Sequence, residues 1–413
     1  MSRPTPCVLL AAPLAVAVIA GGTAACGSSK PPAATPTAVG TAQSSAAQPS
    51  AAQPSAAQPS AAQPSAASAQ TAPTRHVFVI NLENKGYATT FGPASPAPYL
   101  SRTLRGQGVL LEQYHGTAHN SLPNYLAQIS GQGPNPQQQA DCPMFSPFVG
   151  ADKGPATVAP QQAVGRGCAY PASVPTLAGQ LTDKGLTWKG YLEDMGADSA
   201  REPATCAHPA LGAPDPTQHA SATDAYATKH NPFVYFRSVT DSPSCDRNVV
   251  NLGALTGDLA QSASTPNLAY ITPNLCHDGH DAPCAGGEPG GLISADAWLK
   301  MWVPRILASP AYRQDGLLVV TFDESDAPQA DSSASGGEVP GPNAGKPGIV
   351  GPGGGRVGGV VVSPRTTAGT TSSAGYNHYS LLASIEDIFG LPHLGFAGQA
   401  GLPRFGSDIY SAR

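Results

Sequence analysis

Pairs of oxygen-bearing side chains follow two apolar runs of the sequence. Glu83 and Asn84 come after "VFVINL", and Asp323 and Glu324 come after "LLVVTF". Such oxygens suit magnesium, calcium or manganese, whereas an added histidine would favour zinc or iron, so the metal's identity stays open. A strand-end cap is the more ordinary interpretation of the first pair, and a salt bridge that of the second. Because basic residues are few here and buried unpaired carboxylates are costly, we favour a divalent metal ion for the second pair.

The segment "HNSLPNYLAQISG", residues 119–131, has a serine at its third position. Ser121 is interpreted either as an ordinary helix N-cap or as a nucleophile, and the two interpretations are compatible. The N-terminus of a helix attracts phosphate, and a metal ion beside a hydroxyl makes it a better nucleophile. Asn124, three residues later, is placed to donate a hydrogen bond to a phosphoryl oxygen.

Histidines supply candidate acid–base groups in two further places. The loop "CHDGHDAPC" holds His277, Asp278, His280 and Asp281 within five residues. Such a group favours ligand binding or proton transfer over a solvated surface loop, and the Gly-His pair favours His280 as the inward-pointing residue. His378 precedes the last apolar helix; it is either a surface residue or a group that contacts a phosphoryl oxygen or protonates a leaving group.

The elements that must position these groups alternate along the chain. Apolar β-branched runs predict strands near 75–84, 109–116, 186–194, 267–274, 316–325 and 356–364. Helical patterns lie between them, at 97–108, 122–131, 173–185, 294–309 and 377–392. This alternation predicts an α/β fold, doubly wound, with a largely parallel sheet and helices on both faces. Ligands of such sheets bind beyond the carboxyl ends of the strands, where all the polar clusters fall.

The N-terminal part of the chain carries no such pattern. Residues 1–26 predict an export signal, and "TAAC" resembles a bacterial lipobox ending at Cys26, although Thr23 stands where leucine is preferred. We favour a surface lipoprotein over free secretion. Residues 27–74, with four "AAQPS" repeats, predict a disordered tether. Residues 75–413 are then the catalytic domain.

Charge and cysteine usage narrow the partners. Only 12% of residues are charged, the formal net charge is −5, and no lysine or arginine run is present. We therefore expect no nucleic-acid partner, and contact with a membrane only through the N-terminal anchor. Six cysteines follow Cys26, and an even number in an exported chain predicts disulfides. Three local bridges in sequence order are our choice among the 15 pairings that six cysteines allow.

Four segments carry a resemblance to a known family. "NLENKGY", "HNSLPNYLAQISG", "TFDES" and "NHYSLLASIEDIFGL" resemble, in order, the phosphoesterase family of acid phosphatases and phospholipases C, in the alkaline phosphatase superfamily. The resemblance implies an alkaline phosphatase-like fold and a phosphoserine at Ser121. It implies these metal ligands: Glu83, Asn84, Ser121, Asp323 and Glu324. It also implies these phosphate-contacting or acid–base groups: His119, Asn124, His280 and His378.

The resemblance also orders the candidate functions. A metal-dependent phosphomonoesterase acting on a small phosphate ester or a phospholipid head group comes first. A phosphodiesterase of the phospholipase C type is the runner-up, because "ENKGYATTFG" keeps only the outline of that branch's opening motif. A non-catalytic envelope binding protein on the same scaffold is the third. The Gly/Pro/Ser-rich segment 325–359 is expected to be a flap over the site or a surface insertion.

Overall fold

Apolar, β-branched runs of the sequence form the strands of a central sheet. The computed structural model describes residues 74–150, 161–326 and 353–411. The strands are β1 (His76–Leu82), β2 (Val109–Leu111), β3 (Tyr114–His115), β4 (Val149–Gly150), β5 (Gly165–Arg166), β6 (Trp188–Leu192), β7 (Val249–Asn251), β8 (Leu268–Thr272), β9 (Gly316–Phe322), β10 (Gly359–Val362), β11 (Thr370–Ser372) and β12 (Tyr376–Asn377).

Eight strands form this sheet, in the order β11-β2-β10-β9-β1-β8-β6-β7. Only β10 runs antiparallel to its neighbours β2 and β9; the other pairs are parallel. Every residue of β1 and β9 is buried, as expected for central strands covered on both faces. The largely parallel sheet predicted from the sequence is therefore confirmed.

Helices connect the strands and cover the sheet. They are α1 (Tyr87–Phe91), α2 (Ser121–Ser130), α3 (Leu177–Asp183), α4 (Arg237–Thr240), α5 (Cys245–Asn248), α6 (Leu255–Asp258), α7 (Gly291–Ala308), α8 (Pro310–Asp315) and α9 (His378–Phe389). One π-helical turn spans Tyr99–Leu104. Short 3-10 turns span Arg105–Gln107, Gln138–Ala140, Thr228–His230, Pro232–Tyr235, Leu252–Ala254 and Gly395–Gly398.

Two residues of β1 show that helices lie on both faces of the sheet. The ring of Phe78 packs against Tyr312 of α8, with centroids 6.4 Å apart. The side chain of Asn81 accepts a hydrogen bond from Gln128 of α2 at 3.0 Å. Residues three apart on a strand point to opposite faces. Helices α8 and α2 therefore cover opposite faces, and the doubly wound arrangement predicted from the sequence is confirmed.

Three disulfides pin the connections outside the sheet. They join Cys142 to Cys168, Cys206 to Cys245, and Cys276 to Cys284. The prediction of three local bridges in sequence order is confirmed. The last bridge closes the short loop that carries the predicted histidines.

Several predictions concern segments outside the described residues. The export signal at 1–26, Cys26 and the tether up to residue 73 lie there, as does most of the proposed flap, at 327–352. These stay predictions. Within the described ranges, no helix has the combination of length and apolarity that crossing a membrane requires.

Candidate active site

Strands β1 and β9 bring their C-terminal carboxylates to the same level. Leu82, the last residue of β1, stands opposite Phe322, the last residue of β9, so Glu83 and Asp323 emerge side by side. The backbone N–H of Asn84 donates to Asp323 Oδ1 at 2.9 Å. The two predicted oxygen pairs therefore meet at one edge of the sheet.

The loop after β8 adds a third carboxylate. The backbone N–H of Glu83 donates to the carbonyl oxygen of Asp278 at 2.8 Å. Gly279 allows this approach: it has a φ of +112°, and a Cβ there would lie 2.9 Å from the carbonyl oxygen of Glu83. Any other residue would push the loop away from β1. Asp278 is consequently fully buried beside Glu83.

A buried histidine stands between these carboxylates. His230 Nε2 lies 3.2 Å from Glu83 Oε1, and His230 Nδ1 lies 3.3 Å from Asp278 Oδ2. The ring stacks on Tyr125 of α2, with centroids 5.1 Å apart and planes 8° from parallel. Burial lowers the pKa of His230 to about 3, so the imidazole is neutral and these contacts are not ion pairs. Metal ions bind the neutral form of imidazole, so His230 is a candidate metal ligand.

Four residues at this edge leave buried polar atoms without a hydrogen-bond partner among the described residues. The atoms are Glu83 Oε1, Asp278 Oδ2, Asp323 Oδ2 and both ring nitrogens of His230. Burial, and then the neighbouring carboxylates, raise the pKa of Glu83 well above its ordinary value. Buried polar atoms in native proteins are nearly always satisfied, so a group of free oxygens and nitrogens at one place requires a missing partner. The donor set fits a divalent cation.

Ser121 is the first residue of α2, but it does not cap the helix. Asn120 occupies the N-cap position, and Asp141 Oδ1 accepts from the backbone N–H of Leu122 at 3.0 Å. The hydroxyl of Ser121 instead donates to Glu83 Oε2 at 2.7 Å. The side chain is therefore tied to the carboxylate group and not to the helix end.

The sequence also matches the model of a known protein family. The model of the phosphoesterase family matches residues 94–392. The chain belongs to the phosphoesterase family. The family predicted from the four sequence segments is thereby confirmed.

The individual relatives of the chain are more distant. It is 29% identical over 307 residues to a phosphate-repressible acid phosphatase of Penicillium chrysogenum, covering 74% of this chain and 58% of that one. It is 26% identical over 334 residues to a phosphatidylinositol-3-phosphatase of Mycobacterium tuberculosis, covering 81% and 83% respectively. The chain spans 51% to 60% of the length of three matched acid phosphatases. A solved alkaline phosphatase superfamily structure from Vibrio parahaemolyticus aligns at 11% identity with a TM-score of 0.47, covering 82% of this chain and 72% of that one.

Asn124 makes contacts that differ from the predicted ones. Its Oδ1 accepts from the backbone N–H groups of Thr117 and Ala118 at 2.8 and 3.0 Å. Its Nδ2 donates to the carbonyl oxygens of Ala118 and Asn120, both at 2.9 Å. Both amide hydrogens are thus used, and none is left for a phosphoryl oxygen. Asn124 holds the loop that presents Ser121.

His119 and Glu324 extend the group of predicted residues. His119 Nδ1 contacts Glu324 Oε2, and His119 Nε2 is buried without a hydrogen-bond partner in the described part of the chain. Burial lowers the pKa of His119 to about 4, whereas burial and the nearby Asp323 raise the pKa of Glu324. Both residues therefore lie at the same edge as Ser121.

The two histidines predicted to transfer protons differ in position. His378 is fully buried; its Nε2 donates to the carbonyl oxygen of Asp323 at 2.6 Å, and Tyr114 OH donates to its Nδ1 at 3.1 Å. Burial lowers its pKa to about 4. With both nitrogens occupied by the fold, His378 is not placed to protonate a leaving group. The prediction for this residue is corrected to a structural role.

His280 does not point into the carboxylate group, contrary to the expectation. Its Nδ1 hydrogen-bonds to Asp281 Oδ1 at 2.8 Å, and its side chain is 38% exposed. The same loop buries Asp278 instead, because the backbone N–H of His280 turns back onto Asp278 Oδ1 at 2.8 Å. The hydrogen bond to Asp281 raises the pKa of His280. His280 is thus a rim residue in contact with solvent.

Sequence reasoning missed His230 and its neighbour Lys229. Lys229 is buried with its Nζ 3.4 Å from Asp141 Oδ2, and Asp141, Glu83 and Asp278 all act to raise its pKa against the effect of burial. The available indication was a Lys-His pair within "AYATKHNPFVYF", an otherwise apolar, aromatic run. Charged residues are rarely buried unless they are paired, so such a pair predicts a polar site.

A second group of ligand-type side chains lies at the base of the same loop. Cys276, Cys284 and Glu288 bring their ligand atoms within 4.8 Å of one another. The two sulfurs, however, are bonded to each other. Because a metal requires free thiolates, this group is a disulfide and not a metal site.

Proposed function

We propose that the chain is an exported, divalent-metal-dependent phosphomonoesterase with Ser121 as its nucleophile and a phosphoserine intermediate. The observation that carries the proposal is the 2.7 Å hydrogen bond from Ser121 Oγ to Glu83, within a group of buried carboxylates that keep oxygens without a hydrogen-bond partner among the described residues. The phosphoesterase family and the two named phosphatases support the same reaction class.

The donor atoms that would hold the cation come from four elements. Glu83, Asp278, Asp323 and His230 supply the unsatisfied atoms, and the predicted ligands Asn84, Ser121 and Glu324 border them. A bound divalent cation would supply Lewis acidity, lowering the pKa of the Ser121 hydroxyl and offsetting negative charge on the phosphoryl group. The residues present suit magnesium, manganese, zinc or iron, and the buried imidazole favours the last two.

The chain's own residues perform the bond changes in two displacements. Ser121 passes its proton to Glu83 Oε2 and forms a bond to phosphorus, while the bond from phosphorus to the ester oxygen breaks. His280, on the solvent-facing rim, gives a proton to the departing oxygen. In the second displacement a water molecule passes a proton to His280 as its oxygen bonds to phosphorus, the bond to Ser121 Oγ breaks, and the proton on Glu83 returns to Ser121. Lys229 adds positive charge beside the transferring group.

The test measures turnover by the full chain of p-nitrophenyl phosphate, bis-p-nitrophenyl phosphate and a short-chain phosphatidylinositol 3-phosphate. We expect faster turnover of monoesters than of the diester, loss of activity with chelator, and a fall of at least about 10⁴-fold in Ser121→Ala. The matched control is Ser130→Ala, which removes a buried hydroxyl at the opposite end of α2. Undiminished turnover in Ser121→Ala would contradict the mechanism, and preferential diester cleavage would favour the phospholipase C alternative.

Export and anchoring form a separate part of the proposal. Residues 1–26 are proposed to direct export, and Cys26 to carry a lipid that attaches the catalytic domain to the membrane through residues 27–74. Detergent phase partitioning of the exported chain tests the anchor. The wild type should enter the detergent phase, and Cys26→Ser should remain in the aqueous phase; equal partitioning would show that Cys26 carries no lipid.

A further inference from the structure

The outer side of helix α7 is an apolar stripe. Ile293 and Met301 are 57% and 46% exposed, and Ala297, Pro304 and Ala308 are exposed with them. At about 100° per residue, these five positions fall within about 80° of the helix circumference and extend over about 22 Å. The opposite side of α7 packs into the protein through residues such as Trp298 and Leu299. Soluble proteins seldom leave a continuous apolar face exposed without a binding role.

Two cations border this stripe, one on each side. On the same helical wheel, Lys300 lies about 20° before Ile293 and Arg305 about 40° beyond Met301. Both are exposed, and the guanidinium of Arg305 lies 5.0 Å from the ring centroid of Trp302. Long basic side chains at the edges of an apolar stripe keep their charges at its borders.

No acidic side chain of α7 offsets these charges at the surface. The helix has one carboxylate, Asp296, and it is buried. Asp296 accepts from the backbone N–H groups of Tyr99 and Leu100 at 3.0 and 2.8 Å, which holds the turn Tyr99–Leu104 against α7. That turn presents Arg102, which is exposed and forms no ion pair with a described residue.

The segments that contain the turn and helix α7 are positively charged, although the whole chain is acidic. Residues 85–107 and 291–314 contain Asp296 as their single acidic residue, against a formal net charge of −5 for the whole sequence. Their basic residues are Lys85, Arg102, Arg105, Lys300, Arg305 and Arg313. The sequence has no lysine or arginine run because these residues are spread over two separate segments, which Asp296 holds against each other.

We propose that the outer face of α7 docks onto an anionic lipid surface. A helix that lies in a bilayer interface buries an apolar stripe and sets basic residues against acidic head groups. Charge favours this occupant over a second copy of the chain, since two such faces would bring like cations together. Gly291 donates to the carbonyl oxygen of Asp281 at 2.7 Å, so α7 starts at the loop that carries Asp278 and His280. Docking therefore holds the candidate active site beside the head groups, whether or not the chain is a phosphatase.

The test measures co-sedimentation of the full chain with phosphatidylcholine vesicles, with and without phosphatidylserine. Lys300→Ser/Arg305→Ser should lower affinity for anionic vesicles about 25-fold, at about fivefold per basic residue. Ile293→Ser/Met301→Ser should lower it about tenfold. The matched control is Val149→Ser/Leu211→Ser, which changes apolar residues that are 61% and 48% exposed elsewhere. The N-terminal segment is identical in all four chains, so its own binding does not affect their differences.

Several results would overturn the proposal. They are equal binding by all four chains, an equal loss in the control, and no preference for anionic vesicles. A wild-type dimer that Ile293→Ser/Met301→Ser converts to a monomer, measured by sedimentation equilibrium, would assign the face to a second copy instead. Turnover of p-nitrophenyl phosphate, which is soluble, is measured on each chain and should not change. Its absence from the wild type would contradict the proposed function and leave the vesicle result standing.

Discussion

The two ends of strands β1 and β9 bury polar groups in opposite ways. At the N-terminal end, His76 Nδ1 and Asp315 Oδ1 lie 2.6 Å apart, and their side chains are only 10% and 2% exposed. At the C-terminal end of the same strands, Glu83 and Asp323 each keep a buried oxygen that has no hydrogen-bond partner among the described residues. The same two strands are paired at both ends, so the difference in how the polar groups are buried comes from the side chains at each end.

This difference separates a structural polar group from a functional one. A buried carboxylate that serves the fold is paired, because an unpaired one costs free energy. The C-terminal end instead collects Glu83, Asp278 and Asp323 around a neutral His230, and burial raises the pKa of each carboxyl group. Such an arrangement costs free energy, and the proposed cation would offset that cost.

The largest expected effect is on activity at the C-terminal end. Asp323→Asn keeps the acceptor for the backbone N–H of Asn84 but removes a charge that the cation needs. We expect the turnover of p-nitrophenyl phosphate to fall about 10³-fold, as when an electrostatic group of an active site is lost. In chelator at pH 8, the same change should raise the free energy of unfolding by about 1 kcal/mol, because like charges no longer repel. A stability loss without an activity loss would mean that Asp323 serves the fold.

The next effect concerns pH and the buried His378. Its pKa is lowered by burial to about 4, against 6.5 for an ordinary histidine. Between these values the unfolded chain binds the proton and the folded chain does not, so stability is complete above pH 6.5 and falls as the pH decreases to 4. The loss is about 3 kcal/mol for this group.

The variant His378→Gln tests how much the titration of this histidine contributes to the pH dependence of stability. Glutamine keeps a donor for the carbonyl oxygen of Asp323 but does not titrate, so its unfolding free energy should depend less steeply on pH between 4 and 6.5, by about one proton. Urea unfolding at several pH values measures the slope. Equal slopes in the two proteins would show that His378 is not held neutral by burial.

A smaller effect is expected from the cation itself. A divalent ion at 100 times its dissociation constant should stabilise the folded chain by about 2.7 kcal/mol, which is about 4 °C in Tm for a domain of this size. Calorimetry with and without chelator measures the shift. His230→Ala should abolish it, because the imidazole is one of the unsatisfied donors, whereas His76→Ala at the opposite end should not. An undiminished shift in His230→Ala would place the cation elsewhere.

The strand ends could be predicted from the sequence because each end depends only on residues that are neighbours in the chain. A continuous apolar run such as "HVFVINL" predicts a buried strand, and the first polar residue after it marks the edge where Glu83 lies. The same reasoning located Asp323, whereas Ser121 was located from the start of the helix that follows it. Glu83, Ser121 and Asp323 lie in three of the four segments from which the family was predicted.

The sequence failed where a contact depends on the route of a long connection. His230 reaches Glu83 across a segment of turns and 3-10 helix that has no periodicity to follow. Whether Asn124 faces a ligand or its own loop depends on the carbonyl groups of Ala118 and Asn120, which only the folded loop brings together. The choice of Asp278 over His280 likewise depends on how Gly279 packs against β1.

The smallest effect is expected at the N-terminal end, and it completes the comparison. Asp315→Asn replaces a charged hydrogen-bond partner of His76 with a neutral one, and the loss of such a bond costs about 2 kcal/mol in the free energy of unfolding. Turnover should stay within about twofold of the wild type, because the change lies a full strand length from Ser121. Urea unfolding and p-nitrophenyl phosphate turnover measure the two quantities on one preparation.

Asp315→Asn should thus lose stability and keep activity, whereas Asp323→Asn should gain stability in chelator and lose activity. If the two variants changed stability and activity in the same directions, the two ends of these strands would have the same role. The unsatisfied carboxylates would then need an explanation other than a cation.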